Sequence, residues 1–193
     1  MENTVLRAKL IVLGDASVGK SSLVQVFHSD SQQGFPKAYS MTTDVQLQVK
    51  SVKIPDSPYT VELYVYDCAG QETFQPFISK VLGSSALVLL VCDLTNESSL
   101  SAAVKWFERA RNANKDFKMH GALVGNKCDL DLRRAIKATE AEETAVNLGV
   151  PYFECSAKEA IQVDEPFYFL ANCLYEQYIE QTQEFQNIAD TVD

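Results

Sequence analysis

The run Gly14-Asp15-Ala16-Ser17-Val18-Gly19-Lys20-Ser21 has the composition and spacing of a loop that wraps a phosphate. Successive backbone N–H groups there can face one anion, and the N-terminus of a following helix adds to the attraction. Lys20 supplies a cation for β- and γ-phosphate oxygens, and the Ser21 hydroxyl suits Mg2+. Ser22 belongs to the same nucleotide-contacting set. Ala16 and Ser17 crowd the loop more than glycine would, but neither removes a required amide. Farther along, Asp67-Cys68-Ala69-Gly70-Gln71 offers a carboxylate for the same metal and a flexible glycine where a terminal phosphate is sensed. Gln71 suits the orientation of a water toward a γ-phosphate. Alone, Asp-x-x-Gly is a weak sign; its place after the phosphate loop and at the end of an apolar strand gives it weight.

Asn126-Lys127-Cys128-Asp129 selects the base. A carboxylate at Asp129 accepts from guanine N1–H and N2–H2, a donor pair that adenine does not present. Asn126 is expected to brace neighbouring loops, and the Lys127 stem to lie on the base with its amine in solvent. Ser156-Ala157-Lys158 completes the pocket, with the Ala157 amide facing guanine O6 and Lys158 packing nearby. The four motifs in this order imply GTP/GDP as ligand and Mg2+ as cofactor.

These residues need strands that end at one edge. Val5 to Leu13 is an apolar strand closed by Gly14, and a helix from about Gly19 carries Leu23, Val24 and Phe27 on one side. Residues 29–43 read as a long surface loop. Val45, Leu47 and Val49 alternate along a strand running toward Ile54; Pro55-Asp56-Ser57-Pro58 supplies turn chemistry, and Val61, Leu63 and Val65 lead to Asp67, which predicts a hairpin. Ala86 to Cys92 is apolar on both faces and suits a central parallel strand before a helix over 98–114. A strand over 121–125 leads to Asn126; the next helix opens at Thr139, with Glu142 completing a capping box, and Tyr152 to Cys155 forms the last strand. Asp164, Glu165 and Pro166 open a final helix with Phe167, Leu170, Ala171, Leu174 and Tyr178 at core spacing. The alternation predicts an α/β doubly wound sheet of about six mostly parallel strands, one antiparallel at the edge, with helices on both faces and ligands at the carboxyl ends.

Composition fits one domain over residues 1–193. The chain is 46 % hydrophobic and 22 % charged, in globular proportion. A formal charge of -9 argues against nonspecific nucleic-acid or anionic-membrane binding. Five cysteines without paired spacing suit a reducing setting, and His28 and His120 are too far apart in sequence for a zinc site. Glu2 does not suit myristoylation, and Cys173 lies 20 residues before a terminus reading Thr-Val-Asp, so no direct lipid anchor is expected. From Glu159 to Asp193 there are eight acidic residues and no basic ones. This acidic helix and tail, about 164–193, is either a solvated face or, with Tyr175, Ile179, Phe185 and Ile188, a partner site.

On the phosphate loop, the Asp-x-x-Gly-Gln station, the Asn-Lys-x-Asp station and Ser-Ala-Lys, residues 5–180 resemble a Ras-superfamily small GTPase of the Rab-like type. The resemblance implies a P-loop NTPase G domain. It implies that Thr42, in Tyr39-Ser40-Met41-Thr42-Thr43-Asp44, joins Mg2+ and γ-phosphate with Ser21 and Asp67, Thr43 being the lesser substitute. Phe35 or Tyr39 would cover the nucleotide. Thr43-Asp44 stands where ordinary Rabs place Ile-Gly, and the acidic end lacks their prenylatable cysteines. Met41-Thr42-Thr43-Asp44, Ile54-Pro55-Asp56 and the helix with Trp106 resemble instead the Rab-like GTPase subunits of the intraflagellar transport B complex. That resemblance implies a heterodimer with a small β-sandwich transport subunit, recruitment into the larger complex, slow hydrolysis by Gln71 and Lys20 tuned by exchange and activating proteins, and a location in cytoplasm, cilium or flagellum and its basal region. A nucleotide-stabilised adaptor and a vesicle-trafficking GTPase outside cilia are the alternatives.

Overall fold

The computed structural model describes residues 4–29, 34–38, 40–115 and 118–192, excluding the side chains of 72, 75, 77, 185 and 188–192. Six strands form one sheet: β1 (Thr4–Leu13), β2 (Val45–Lys53), β3 (Tyr59–Cys68), β4 (Leu87–Asp93), β5 (His120–Asn126) and β6 (Tyr152–Cys155). Their order is β2-β3-β1-β4-β5-β6, and β2 alone runs antiparallel, against β3. The helices are α1 (Lys20–Ser29), α2 (Gln75–Leu82), α3 (Ser98–Ala113), α4 (Ala138–Leu148) and α5 (Glu165–Val192). The expected mostly parallel sheet with one antiparallel edge is the observed one.

The two-residue period of a strand sends alternate side chains to opposite faces. Leu10 and Val12 therefore join Leu23, Phe27, Val61 and Phe167 under α1 and α5, whereas Ile11 and Leu13 join Ile78, Leu90, Trp106 and Phe107 under α2 and α3. Central β4 is buried along all seven residues, as a strand covered on both faces must be. Phe27 and Phe167 stack with centroids 3.9 Å apart and planes 4° from parallel, which fixes α1, the helix that opens at Lys20, against α5. The hairpin closes where the Ile54 N–H donates to Tyr59 O at 3.1 Å.

Three local differences from expectation have physical causes. Helix α2 has no counterpart in the sequence reading: its eight residues give barely two turns of period, and its core contact rests on Ile78 and Leu82, four apart. Buried Asn114 fixes its far end, donating to Leu82 O at 2.7 Å and accepting from the Ser85 N–H at 2.9 Å. The Thr139–Glu142 capping box does not form. Lys137 is the extended residue before α4, so Thr139 is already inside the helix and cannot cap it. On edge strand β2, Leu47 and Val49 are 52 % and 42 % exposed although they alternate as a core face would.

Candidate functional site

The carboxyl ends of β1, β3, β5 and β6 lead into a cleft of about 480 Å3. Ala16, Ser17, Gly19, Lys20, Ser21, Ser22, Thr42, Gly70, Gln71, Asn126, Lys127, Asp129, Ala157 and Lys158 line it. Gly14, Asp15, Val18, Asp67 and Ser156, also expected at the site, are not in its lining; the carbonyls of Gly14, Asp15 and Val18 accept from Lys20 and Asn126, Asp67 is buried, and Ser156 holds Asp129.

The six residues between β1 and α1 fold into a loop whose backbone turns left-handed at Ser17 (φ 63°) and at Gly19 (φ 98°). A Cβ at Gly19 would lie 2.2 Å from Asn126 Nδ2, so only glycine admits the approach of the two motifs. Asn126 Nδ2 donates to Val18 O at 2.9 Å, and its Oδ1 accepts from the Ala157 N–H at 3.1 Å. One amide thus ties the loops after β1, β5 and β6 together. The Ala157 amide, expected to face guanine O6, is engaged by Asn126 instead, so Ala157 contributes a wall and a brace.

Lys20 is 6 % exposed and bends over the loop, donating to Gly14 O at 3.1 Å and Asp15 O at 2.7 Å. Burial pushes its ammonium pKa down, against the opposing pull of Asp67, Cys68 and Asp15. Ser21 Oγ and Thr42 Oγ1 lie 2.8 Å apart. Thr42 is half-buried toward that contact while Thr43 is exposed, which separates the two threonines. Behind them Asp67 is 1 % exposed and neither carboxylate oxygen has a hydrogen-bond partner. Burial pushes the carboxyl up, and the neighbouring Ser21 hydroxyl and Lys20 ammonium draw it down. A Cβ on Gly70 would lie 2.5 Å from Ala16 N and from Asp15 O, so the backbone there rests on the phosphate loop.

At the other end of the cleft, Asp129 Oδ1 accepts from Ser156 Oγ at 2.6 Å, which orients the carboxylate. Arg134 donates to both Glu154 oxygens, at 2.9 and 2.7 Å, joining the turn after β5 to β6. Lys158, paired with Glu159 at 3.3 Å, stands on the wall. Phe35 lines the cleft and packs on the core beneath α1; Tyr39 lies outside the described residues. Cys68, Cys92 and Cys155 are buried, which pushes each thiol up to about 12 and makes them poor nucleophiles.

The family model described as "Ras family" matches residues 9–176. The chain belongs to the Ras family. Within it, the chain is 41 % identical over 184 residues to human intraflagellar transport protein 27 homolog, covering 95 % of this chain and 98 % of that protein. It is 33 % identical over 186 residues to intraflagellar transport protein 27 of Chlamydomonas reinhardtii (94 % and 91 %), and 31 % over 185 residues to GTP-binding protein ypt2 of Schizosaccharomyces pombe (96 % and 90 %). This small GTPase is thus Rab-like and of the GTP-binding kind. In this Ras-family fold the sequence does not point to Gln25 and Lys37, which line the cleft, or to Asp93 at the end of β4, which meets Lys127 Nζ at 2.6 Å, so the amine expected in solvent is held by the protein instead. A lone Asp after an apolar strand carries no spacing signal, and only the topology shows that β4 and β5 end side by side.

Among the described residues, no helix is long and apolar enough to cross a membrane.

Proposed function

We propose that this chain is a slowly GTP-hydrolysing subunit of intraflagellar transport whose nucleotide state sets a partner surface. The observation that carries the nucleotide reading is the contact of Ser21 with Thr42 beside the partnerless carboxylate of Asp67. Two hydroxyls and a buried carboxylate without a hydrogen bond make an oxygen set suited to a hard divalent cation. Ser21, Thr42 and Asp67 would hold Mg2+, which when bound there neutralises charge on the phosphate oxygens. Thr42 and Gly70 report the γ-phosphate because each sits on a separate loop against the phosphate loop. In hydrolysis Gln71 orients the attacking water and Lys20 stabilises charge on the transferring phosphoryl group. Asp129 selects guanine through its N1–H and N2–H2, braced by Ser156 and Asn126, with Ala157 and Lys158 as walls.

The transport assignment is supported by identity to intraflagellar transport protein 27 over nearly whole chains. On this reading the chain pairs with a small β-sandwich subunit, enters complex B, and acts in the cytoplasm and in the cilium or flagellum and its base, answering to exchange and activating proteins. The decisive experiment is quantitative affinity purification from ciliated cells in extracts loaded with GDP or a nonhydrolysable GTP analogue. Stoichiometric transport subunits establish the setting, and partners gained only with the analogue establish the switch. Unchanged partners favour a nucleotide-stabilised adaptor, a role suited to the long acidic α5 with Tyr168, Phe169 and Tyr178 at its surface. Vesicle tethers in place of transport subunits would move the function outside cilia.

A further inference from the structure

We propose that Asp93 is a positioning residue for nucleotide retention, anchoring Lys127 across the phosphate loop so that the lysine stem is set as a face for the base. The inference rests on the nucleotide reading above. Asp93 closes β4, is 7 % exposed, and does not itself line the cleft. Its Oδ1 accepts from the Thr95 N–H at 2.9 Å and the Thr95 hydroxyl at 2.7 Å. Its backbone N–H donates to Ser99 Oγ at 2.9 Å, and the Ser99 hydroxyl reaches back to Asp93 O at 3.1 Å. The carboxylate is therefore fixed by its own turn and by α3, leaving Oδ2 directed at Lys127 Nζ, 2.6 Å away.

Lys127 is held at φ 70°, and its Nζ also donates to Ser17 O at 2.9 Å. Asn126 and Lys127 thus bond consecutive carbonyls of the phosphate loop, Val18 and Ser17. The Asn126 contact is secured by the Ala157 amide; the Lys127 contact is secured by Asp93. A lysine stem has large rotamer freedom, and fixing its tip between two preset acceptors removes that freedom before ligand binds. Loss of the anchor therefore appears as faster ligand release.

The test uses the full chain and release of a fluorescent N-methylanthraniloyl-GDP into excess GDP. Asp93→Asn keeps a carbonyl oxygen for Thr95 and sets an amide donor against the lysine. It is expected to speed release about tenfold, the size of one lost charge-assisted hydrogen bond. In a Lys127→Ala background the same change is expected to alter release by less than about twofold, because the anchored group is gone. Asp93→Ser, which keeps a short acceptor for the Thr95 turn, takes its place with the same expectation if Asp93→Asn does not fold. Equal acceleration with and without Lys127 would assign Asp93 to the turn alone and overturn the proposal. Release at the wild-type rate, from wild-type protein that does retain the ligand, would overturn it while leaving the nucleotide reading intact. Failure of the wild type to hold the fluorescent GDP would remove both.

Discussion

Asp67 is costly to the empty fold and useful to the loaded one. A carboxylate buried without a hydrogen bond opposes folding when ionised, and the same exposure to nothing but Ser21 and Lys20 leaves it ready for a cation. Burial raises its folded pKa above the unfolded value, so the folded state binds a proton more tightly; stability is retained below the unfolded pKa and lost as pH rises through the folded one. Asp67→Asn is therefore expected to stabilise nucleotide-free, chelator-treated protein at pH 7 by about 1 kcal/mol, roughly 2–4 °C in Tm. Thermal unfolding measured down to pH 4 should show the gap from wild type narrowing, while retention of Mg2+-GDP by the variant falls. Gln71 makes the opposite kind of prediction, since it lines the cleft from the loop after β3. Gln71→Leu should slow single-turnover GTP hydrolysis about tenfold or more with GDP affinity within about twofold of wild type. The residues of the four motifs were legible because their chemistry is tied to fixed local spacings. Asp93 was not, because its partner lies 34 positions away and meets it only through the pairing of neighbouring strands.

At the scale of elements, α1 and α5 act as one unit through the Phe27–Phe167 stack, although they lie at opposite ends of the chain. Tyr168 meets Phe27 edge-on with centroids 6.2 Å apart, and Tyr175 packs on Tyr59 at 5.2 Å, so α5 reaches β3 as well. Phe167→Ala is expected to cost about 3–5 kcal/mol, since the site is closed on all sides and a cavity would remain. Chemical denaturation of the GDP-loaded variant checks this through a lowered midpoint at unchanged slope. The strands and the long helices were readable from apolar runs and periodicity together with turn and helix-opening residues, because most of them bury one face or both. What periodicity missed was decided by length or by position. Eight residues of α2 do not establish a helical repeat, and a Ser/Thr-x-x-Glu pattern caps only when its first residue stands outside the helix. Leu47 and Val49 show the converse: β2 alternates as a strand must, but an edge strand can place its apolar face outward.

Across the whole molecule, the loops after β1, β3, β5 and β6 and the loop before β2 bring the nucleotide-directed residues to one edge of the sheet. The contacts that join these loops, Asn126 to Val18, Lys127 to Ser17, Ser156 to Asp129 and Ser21 to Thr42, are hydrogen bonds at the rim; the apolar clusters lie beneath. Opening the rim therefore need not disturb the core. Central β4, buried in every residue and paired on both sides, has the further consequence of acting as the molecule's slowest clock. Its amides can meet solvent deuterium only when the sheet itself comes apart, whereas amides around Thr42 and Gly70 need only a loop to lift. Hydrogen-exchange mass spectrometry should accordingly give β4 the same protection with GDP and with a GTP analogue, while exchange around Thr42 and Gly70 slows with the analogue. Ligand release and global unfolding would then run on separate timescales, and the protein could empty and refill many times within the lifetime of one folded core.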